Sequence, residues 1–288
     1  MFAWRLDPSV LLGILLLAAA YAIGAAWPRR ATVGQITAFS LGLLVLFVAL
    51  ESPLDTIGDT YLLSLHMTQH LLLVLVAPPL LLYGTPAWAL RPVLDRRVAR
   101  AVARRLTRGP TAFAIYNVIF ALAHLPIFFD LTLRSEGAHI AEHLLFIGAG
   151  VLAWWPILGP AVAGVPRLSY PFQMLYLFLA TLPCSLVGAL ITLSGVVLYS
   201  PYATAPRLWG LSPLGDQQIA GLTMWIGGSI YYFLAFMIVF FMWARQDEPD
   251  RRDKRHLSVV SSQSSVVSRQ SSVVSRRGAH DARLIRRD

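Results

Sequence analysis

Charge is scarce in this chain. Only 14% of its 288 residues are charged, against roughly a quarter in soluble domains, and 56% are hydrophobic. Lysine is nearly absent: Lys254 is the only one, so arginine supplies almost all of the basic side of the formal +9. These arginines flank apolar runs and form no exposed stripe on a soluble domain, so the positive charge points to a membrane and not to nucleic acid. Cysteine occurs once, as Cys184 inside an apolar run, which excludes an intramolecular disulfide and any CxxC metal or redox motif. No glycine-rich phosphate loop, nucleophile elbow or Ser/His/Asp arrangement stands out. What is there is apolar sequence in lengths of about 20 residues, the length that crosses a bilayer as a helix.

Seven such runs lie near residues 9–27, 34–50, 61–83, 111–129, 139–158, 171–197 and 217–244. They predict an all-α, polytopic membrane protein, with a seven-helix domain over 1–244. The first run could be mistaken for a signal peptide. Its charged region is nearly neutral (Arg5, Asp7), and Arg29 and Arg30 follow the run instead of preceding it, so a retained first helix is expected. Arginine is distributed unevenly over the loops. Arg29, Arg30, Arg91, Arg96, Arg97, Arg100, Arg104, Arg105, Arg108 and Arg167 fall on one side, and Arg5, Arg134 and Arg207 on the other. The positive-inside rule then puts the amino terminus outside and the carboxyl terminus in the cytoplasm. The stretch "LDRRVARAVARRL" is expected as a short amphipathic helix on the inner leaflet. In the tail, 245–288, Ser-Val-Val-Ser recurs every seven residues. Its valines are adjacent and not spaced as a coiled-coil seam requires, so a disordered basic tail is expected.

On this topology the membrane histidines collect at one depth. His66 and His70 lie in the outer half of the third run, His124 near the outer end of the fourth, and His139 and His143 at the outer start of the fifth. Nine carboxylates precede the tail. Asp7, Glu51, Asp55, Asp59, Asp130, Glu136, Glu142 and Asp216 fall on the outer side and Asp95 alone on the inner, so an acidic rim would concentrate cations over the histidines. A single intramembrane histidine is adequately explained by a hydrogen bond to a neighbouring helix. Two pairs at i, i+4, each with both rings on one helix face, point instead to a chelated metal held by His66, His70, His139 and His143, with His124 as a further candidate. Glu142 and Asp216 would orient imidazoles, and Glu51 and Asp55 would belong to the cation rim. Imidazole suits copper or zinc, and thioether favours Cu(I). Met67 points about 100° away from His66 on a helix, whereas Met224 shares roughly the face of Asp216.

Two catalytic or redox alternatives stay open. "HIAEH" (139–143) matches an inverted zincin pattern, which would make an intramembrane metallohydrolase, and histidines on different helices can ligate haem iron. "HMTQH" (66–70) has Met67 where a zincin needs glutamate, which excludes that chemistry there.

Three stretches carry a family likeness: "HMTQHLLLVLVAPPLLLYGTPAW" (66–88), "WWPILGP" (154–160) and "GDQQIAGLTMWIGG" (215–228). With them the chain resembles, over nearly all of 10–244, the CtaG family of cytochrome c oxidase assembly proteins associated with caa3 oxidases. It is unlike the single-span assembly factor that shares that name. The resemblance implies a non-enzymatic membrane protein needed to make active haem-copper oxidase. Such a protein would handle copper ion and meet oxidase subunits or a periplasmic copper carrier. By motif it points to His66 and His70, and to Asp216, Gln217, Gln218, Met224 and Trp225 at the start of the last span. Pro78 and Pro79 are expected to kink the third helix, which either widens the outer cavity or only sets packing angles.

Overall fold

The computed structural model describes residues 4, 6–25, 31–162, 164–165 and 167–246. Arg5, Arg29, Arg30 and the tail beyond Gln246 lie outside the described residues. Among the described residues the chain is helical, with one isolated β-bridge between Val162 and Val165. The elements that position the site are α1 (Pro8–Ala25), α2 (Val33–Glu51), α3 (Pro53–Thr60) and α4 (Leu63–Gly84). After these come α5 (Arg97–Leu106), α6 (Gly109–Ala123), α7 (Pro126–Arg134), α8 (Glu136–Leu158), α9 (Tyr170–Leu193), α10 (Ser200–Thr204) and α11 (Pro213–Gln246). The last helix runs into a second unit, Ile238–Asp288, of which only the helical stretch to Gln246 is described.

Among the described residues five helices are long and apolar enough to cross a bilayer: α2, α4, α8, α9 and α11. Two of the seven expected runs differ. The first gives a shorter apolar helix over Pro8–Ile23. The fourth is broken into α6 and α7, bent by 72°. The cause is in the sequence at 124–126: Pro126 excludes the helical conformation for the residue before it, and Leu125 is extended with φ −71° and ψ 131°. Lipid-facing character is evident elsewhere. Phe178, Leu186, Leu190, Ile230 and Phe233 are all more than half exposed, an apolar surface that water would not tolerate on a monomer.

The helix starts are written locally. Thr32 and Gln35 form a reciprocal capping box at α2, and Ser52, Ser135 and Ser212 cap α3, α8 and α11 with their hydroxyls, each relieving an orphaned N–H. The start of α4 is the exception, because Leu62 has no side chain to cap with. Asp216 of α11 does it from across the bundle. Its carboxylate accepts the backbone N–H of Leu63 at 2.7 Å, that of Ser64 at 3.2 Å and the Ser64 hydroxyl at 2.5 Å. Asp216 also lies in the first turn of its own helix, so one anion serves two positive helix ends.

The prolines of α4 do not break it. The helix widens into a π-type turn over Leu72–Val76 and continues from Ala77 as one span. Pro78 has no N–H to offer the carbonyl of Val74, four residues back. Trp154 of α8 supplies the missing donor, its indole Nε1 meeting Val74 O at 3.1 Å. Gly150, one turn earlier on α8, faces the same step, where a Cβ would come within 2.7 Å of the Pro78 ring and 3.0 Å of Val74 O. The double proline therefore seats α4 on α8. On its other side α4 packs Leu73, Ala77 and Leu81 against Phe39, Leu46 and Ala49 of α2. The two helices that carry the histidine pairs are thereby held at a fixed register.

Candidate metal centre

His66 and His70 come from α4, and His139 and His143 from α8, one helical turn apart in each case, so each pair shares a face. The register set by the Trp154–Val74 hydrogen bond and the close approach of Gly150 to Pro78 turns these faces together. Ring centroids lie 4.2 Å apart for His66–His70 and for His139–His143, and 5.9 Å and 5.8 Å apart across the helices for His66–His139 and His70–His143. Two sets of ligand atoms lie within 4.8 Å of one another: Asp59, His66 and His139; and His66, His70 and Glu142. His66 is common to both and is fully buried.

Asp59, in the last turn of α3, decides which nitrogens are left over. Its carboxylate faces His66 Nδ1 at 3.0 Å and His139 Nδ1 at 3.5 Å. Burial pushes the Asp59 carboxyl up, but the hydrogen bond from His66 and the neighbouring imidazoles outweigh it and hold it below the ordinary carboxylate value. An ionised carboxylate only accepts, so both Nδ1 atoms carry the proton and both Nε2 atoms present a lone pair. This is the arrangement by which outer carboxylates orient metal-binding histidines. Gly58 makes it sterically possible. A Cβ there would sit 3.0 Å from the backbone of His66, so α3 can pass close enough to α4 for its next residue to reach the ring.

The inward-facing atoms have nothing to bond. His66 Nε2, both nitrogens of His70, His139 Nε2, His143 Nε2 and both oxygens of Glu142 are buried without hydrogen-bond partners. The neighbouring Thr132 hydroxyl donates to Phe129 O, and Glu142 Oε2 approaches His70 Nε2 only to 3.9 Å. Each such buried orphan costs about 1–3 kcal/mol. So many in one place, with one lone pair from each neutral imidazole and the oxygens of Glu142, fit a metal ion of the imidazole-loving type.

The remaining expected residues are placed differently. His124 stands outside both ligand sets at the α6–α7 corner. Its Nδ1 meets Phe120 O at 2.7 Å and its carbonyl accepts the Tyr199 hydroxyl at 3.0 Å, so it terminates α6. Asp216 neither orients an imidazole nor forms a rim, because its oxygens are occupied by the start of α4. Gln217 ties down the chain after α9, taking the N–H of Leu198 at 2.7 Å and donating to Val196 O at 3.0 Å. Glu51 is fully buried and accepts the backbone N–H of Asp7, and Asp55 accepts from Gln69 of α4 at 2.7 Å. Met224 is buried and its carbonyl accepts the Cys184 thiol. Gln218 is exposed. Glu142 is more than an orienting group, since its oxygens belong to the ligand set itself. Asp59 was visible in the sequence only as one acid of the rim. The chain turns at Tyr61–Leu62 between it and His66, so no helical spacing signals the pair.

Replacing Asp59 by Asn keeps the shape and removes the shared anion. Metal affinity is expected to fall about 10–100-fold with the number of bound ions unchanged, read by titration against a competing Cu(I) chelator.

A helical membrane protein with a buried histidine–carboxylate cluster between two spans is the class that fold and site define. The profile of the family described as cytochrome c oxidase caa3 assembly factor (Caa3_CtaG) matches residues 16–246. The chain belongs to this family. Among curated proteins it is similar to uncharacterized proteins of Mycobacterium bovis and Mycobacterium tuberculosis, each 28% identical over 275 residues. One of Mycobacterium leprae is 26% identical over the same length. The alignments cover 88% of this chain and 41% of each relative, so the chain spans well under half the length of these relatives. No solved structure matches it.

Proposed function

We propose that this assembly factor binds Cu(I) at the His66, His70, His139, His143 and Glu142 cluster and hands it on to a maturing caa3-type oxidase. The observation that carries the reading is the set of partnerless imidazole nitrogens and carboxylate oxygens on α4 and α8, with Asp59 fixing the tautomers. Copper is favoured over zinc because the family serves an oxidase whose centres need copper. Ligand exchange moves such a cargo without any bond to substrate being made or broken, so no catalytic role is assigned to Glu142. Arginine is concentrated in Arg91–Arg108 and at Arg167. That end therefore faces the cytoplasm and the histidine end faces outward, across the plasma membrane from the copper-poor interior. The copper donor would be a periplasmic carrier and the acceptor an oxidase subunit.

The test is made in cells lacking the protein. Oxidase isolated from them is expected to contain haem and be deficient in copper. The wild-type chain restores copper and activity, and His66→Ala/His139→Ala, expressed at the same level, does not. Full restoration by the double variant would overturn the proposal.

A further inference from the structure

Below the imidazole cluster, toward the proline step of α4, lies a second set of donors that shares only His70 with the first site. A small cavity of about 10 Å³ is bounded by Met67 and His70 of α4, His124 at the α6–α7 corner and Met224 of α11, with Phe120 and Phe146 as apolar walls. That is about the size of a single water or ion. The cavity's lining offers a guest two thioethers and two imidazoles among apolar rings.

The two histidines are prepared for such a guest. Phe120 O can only accept, so His124 Nδ1 carries the proton of their 2.7 Å hydrogen bond and Nε2 carries the lone pair. His70 has no hydrogen bond at either nitrogen. Its Nε2 faces Glu142, and in the tautomer that puts the proton there Nδ1 carries the lone pair. Met67, which the helix turns about 100° from His66, is thereby directed away from the first cluster and onto this cavity. Met224 is brought there by α11, whose start Asp216 locks to the start of α4.

We infer that Met67, Met224, His70 and His124 form a second Cu(I) site, adjoining the first at His70, whose single lone pair serves one site at a time and, with both filled, serves the second through Nδ1. It rests on the copper-handling reading above and adds to it a place for the ion to go. Two thioethers with neutral imidazole select the monovalent ion over Cu(II) and zinc. An all-neutral donor set also leaves the single positive charge of Cu(I) uncompensated in an apolar surrounding, so the ion is held for release and not for storage. Moving from the Glu142 cluster to this site exchanges a carboxylate for sulfur. Neither copper nor protein changes oxidation state.

The experiment uses the full chain in detergent, loaded anaerobically with Cu(I) and cleared of loosely held metal on a chelating resin. Elemental analysis and copper X-ray absorption are compared for wild type, Met67→Leu/Met224→Leu and Cys184→Ser. Wild type is expected to hold two coppers per chain with sulfur among the ligands. The methionine variant is expected to hold one copper with nitrogen and oxygen ligands alone while still binding one zinc, and Cys184→Ser to behave as wild type. If the methionine variant folds poorly, selenomethionyl wild-type chain gives the same answer, because its selenium spectrum contains a copper neighbour only if the site exists. A wild type with nitrogen and oxygen ligands only, or a sulfur signal lost with Cys184 and kept without the methionines, overturns the inference and leaves the first site standing. Absence of copper altogether overturns both.

Discussion

His66→Ala/His139→Ala is expected to abolish stable copper binding at the imidazole cluster. The purified variant, loaded with Cu(I) under reducing conditions, should lose affinity by more than about a hundredfold, the upper end of what loss of one orienting partner costs. His66 contributes to both ligand sets and His139 to one of them, so the pair removes donors from each of the two sets. The folded chain should survive the change. Both rings leave orphaned nitrogens in the buried cluster, and deleting an unsatisfied polar atom relieves a cost that offsets part of the lost packing. Asp59 then faces no imidazole proton, and the hydrogen bond that held its carboxyl down is gone. Acidification should mimic the substitution reversibly in the wild type, because only neutral imidazole is a ligand and acid returns the protons that metal displaced. Equal copper retention in variant and wild type, with the ion resistant to acid, would remove the site from α4 and α8.

Asp216→Ala is expected to be the most destabilising single change. It strips three donors of their acceptor at the start of α4: the N–H groups of Leu63 and Ser64 and the Ser64 hydroxyl. An ordinary cap is worth about 1 kcal/mol. Bonds to a buried charged group are worth about 1.5–3 kcal/mol each, so a loss on the order of 4 kcal/mol is expected. Cys184 is buried and is the chain's one thiol, which makes it a built-in reporter. Its labelling by a thiol-reactive dye on heating should shift to markedly lower temperature in Asp216→Ala, with Ser212→Ala as a milder control that loses a single hydroxyl cap. Copper affinity should fall as well, since His66 sits in the first turn and His70 in the second turn of the helix that loses its anchor. Unchanged labelling and unchanged affinity would show that α4 needs no cap from α11.

Which features were legible beforehand follows a physical rule. The apolar runs, the i, i+4 histidine pairs and the capping serines are local: bilayer thickness, helical pitch and an orphaned N–H act over a few residues, so the sequence by itself determined the helical membrane class, the pairing of His66 with His70 and of His139 with His143, and most helix starts. The corner at 124–126 was equally local, since Pro126 dictates it, although the run's apolar composition masks it. Partnership across the bundle has no such signature. Asp216 and Leu63 are 153 residues apart, and a carboxylate that caps a distant helix has the same composition as one on a cation rim. Whether Met67 serves or ignores the metal site depends on the roll of α4, which Trp154 and Gly150 set through Val74 and Pro78. Asp59 reaches two rings only because Gly58 lets two backbones approach. Short-range sterics and hydrogen-bond pitch are written in consecutive residues; the direction a carboxylate or thioether faces is decided only when tertiary packing fixes the rotation of one helix against another.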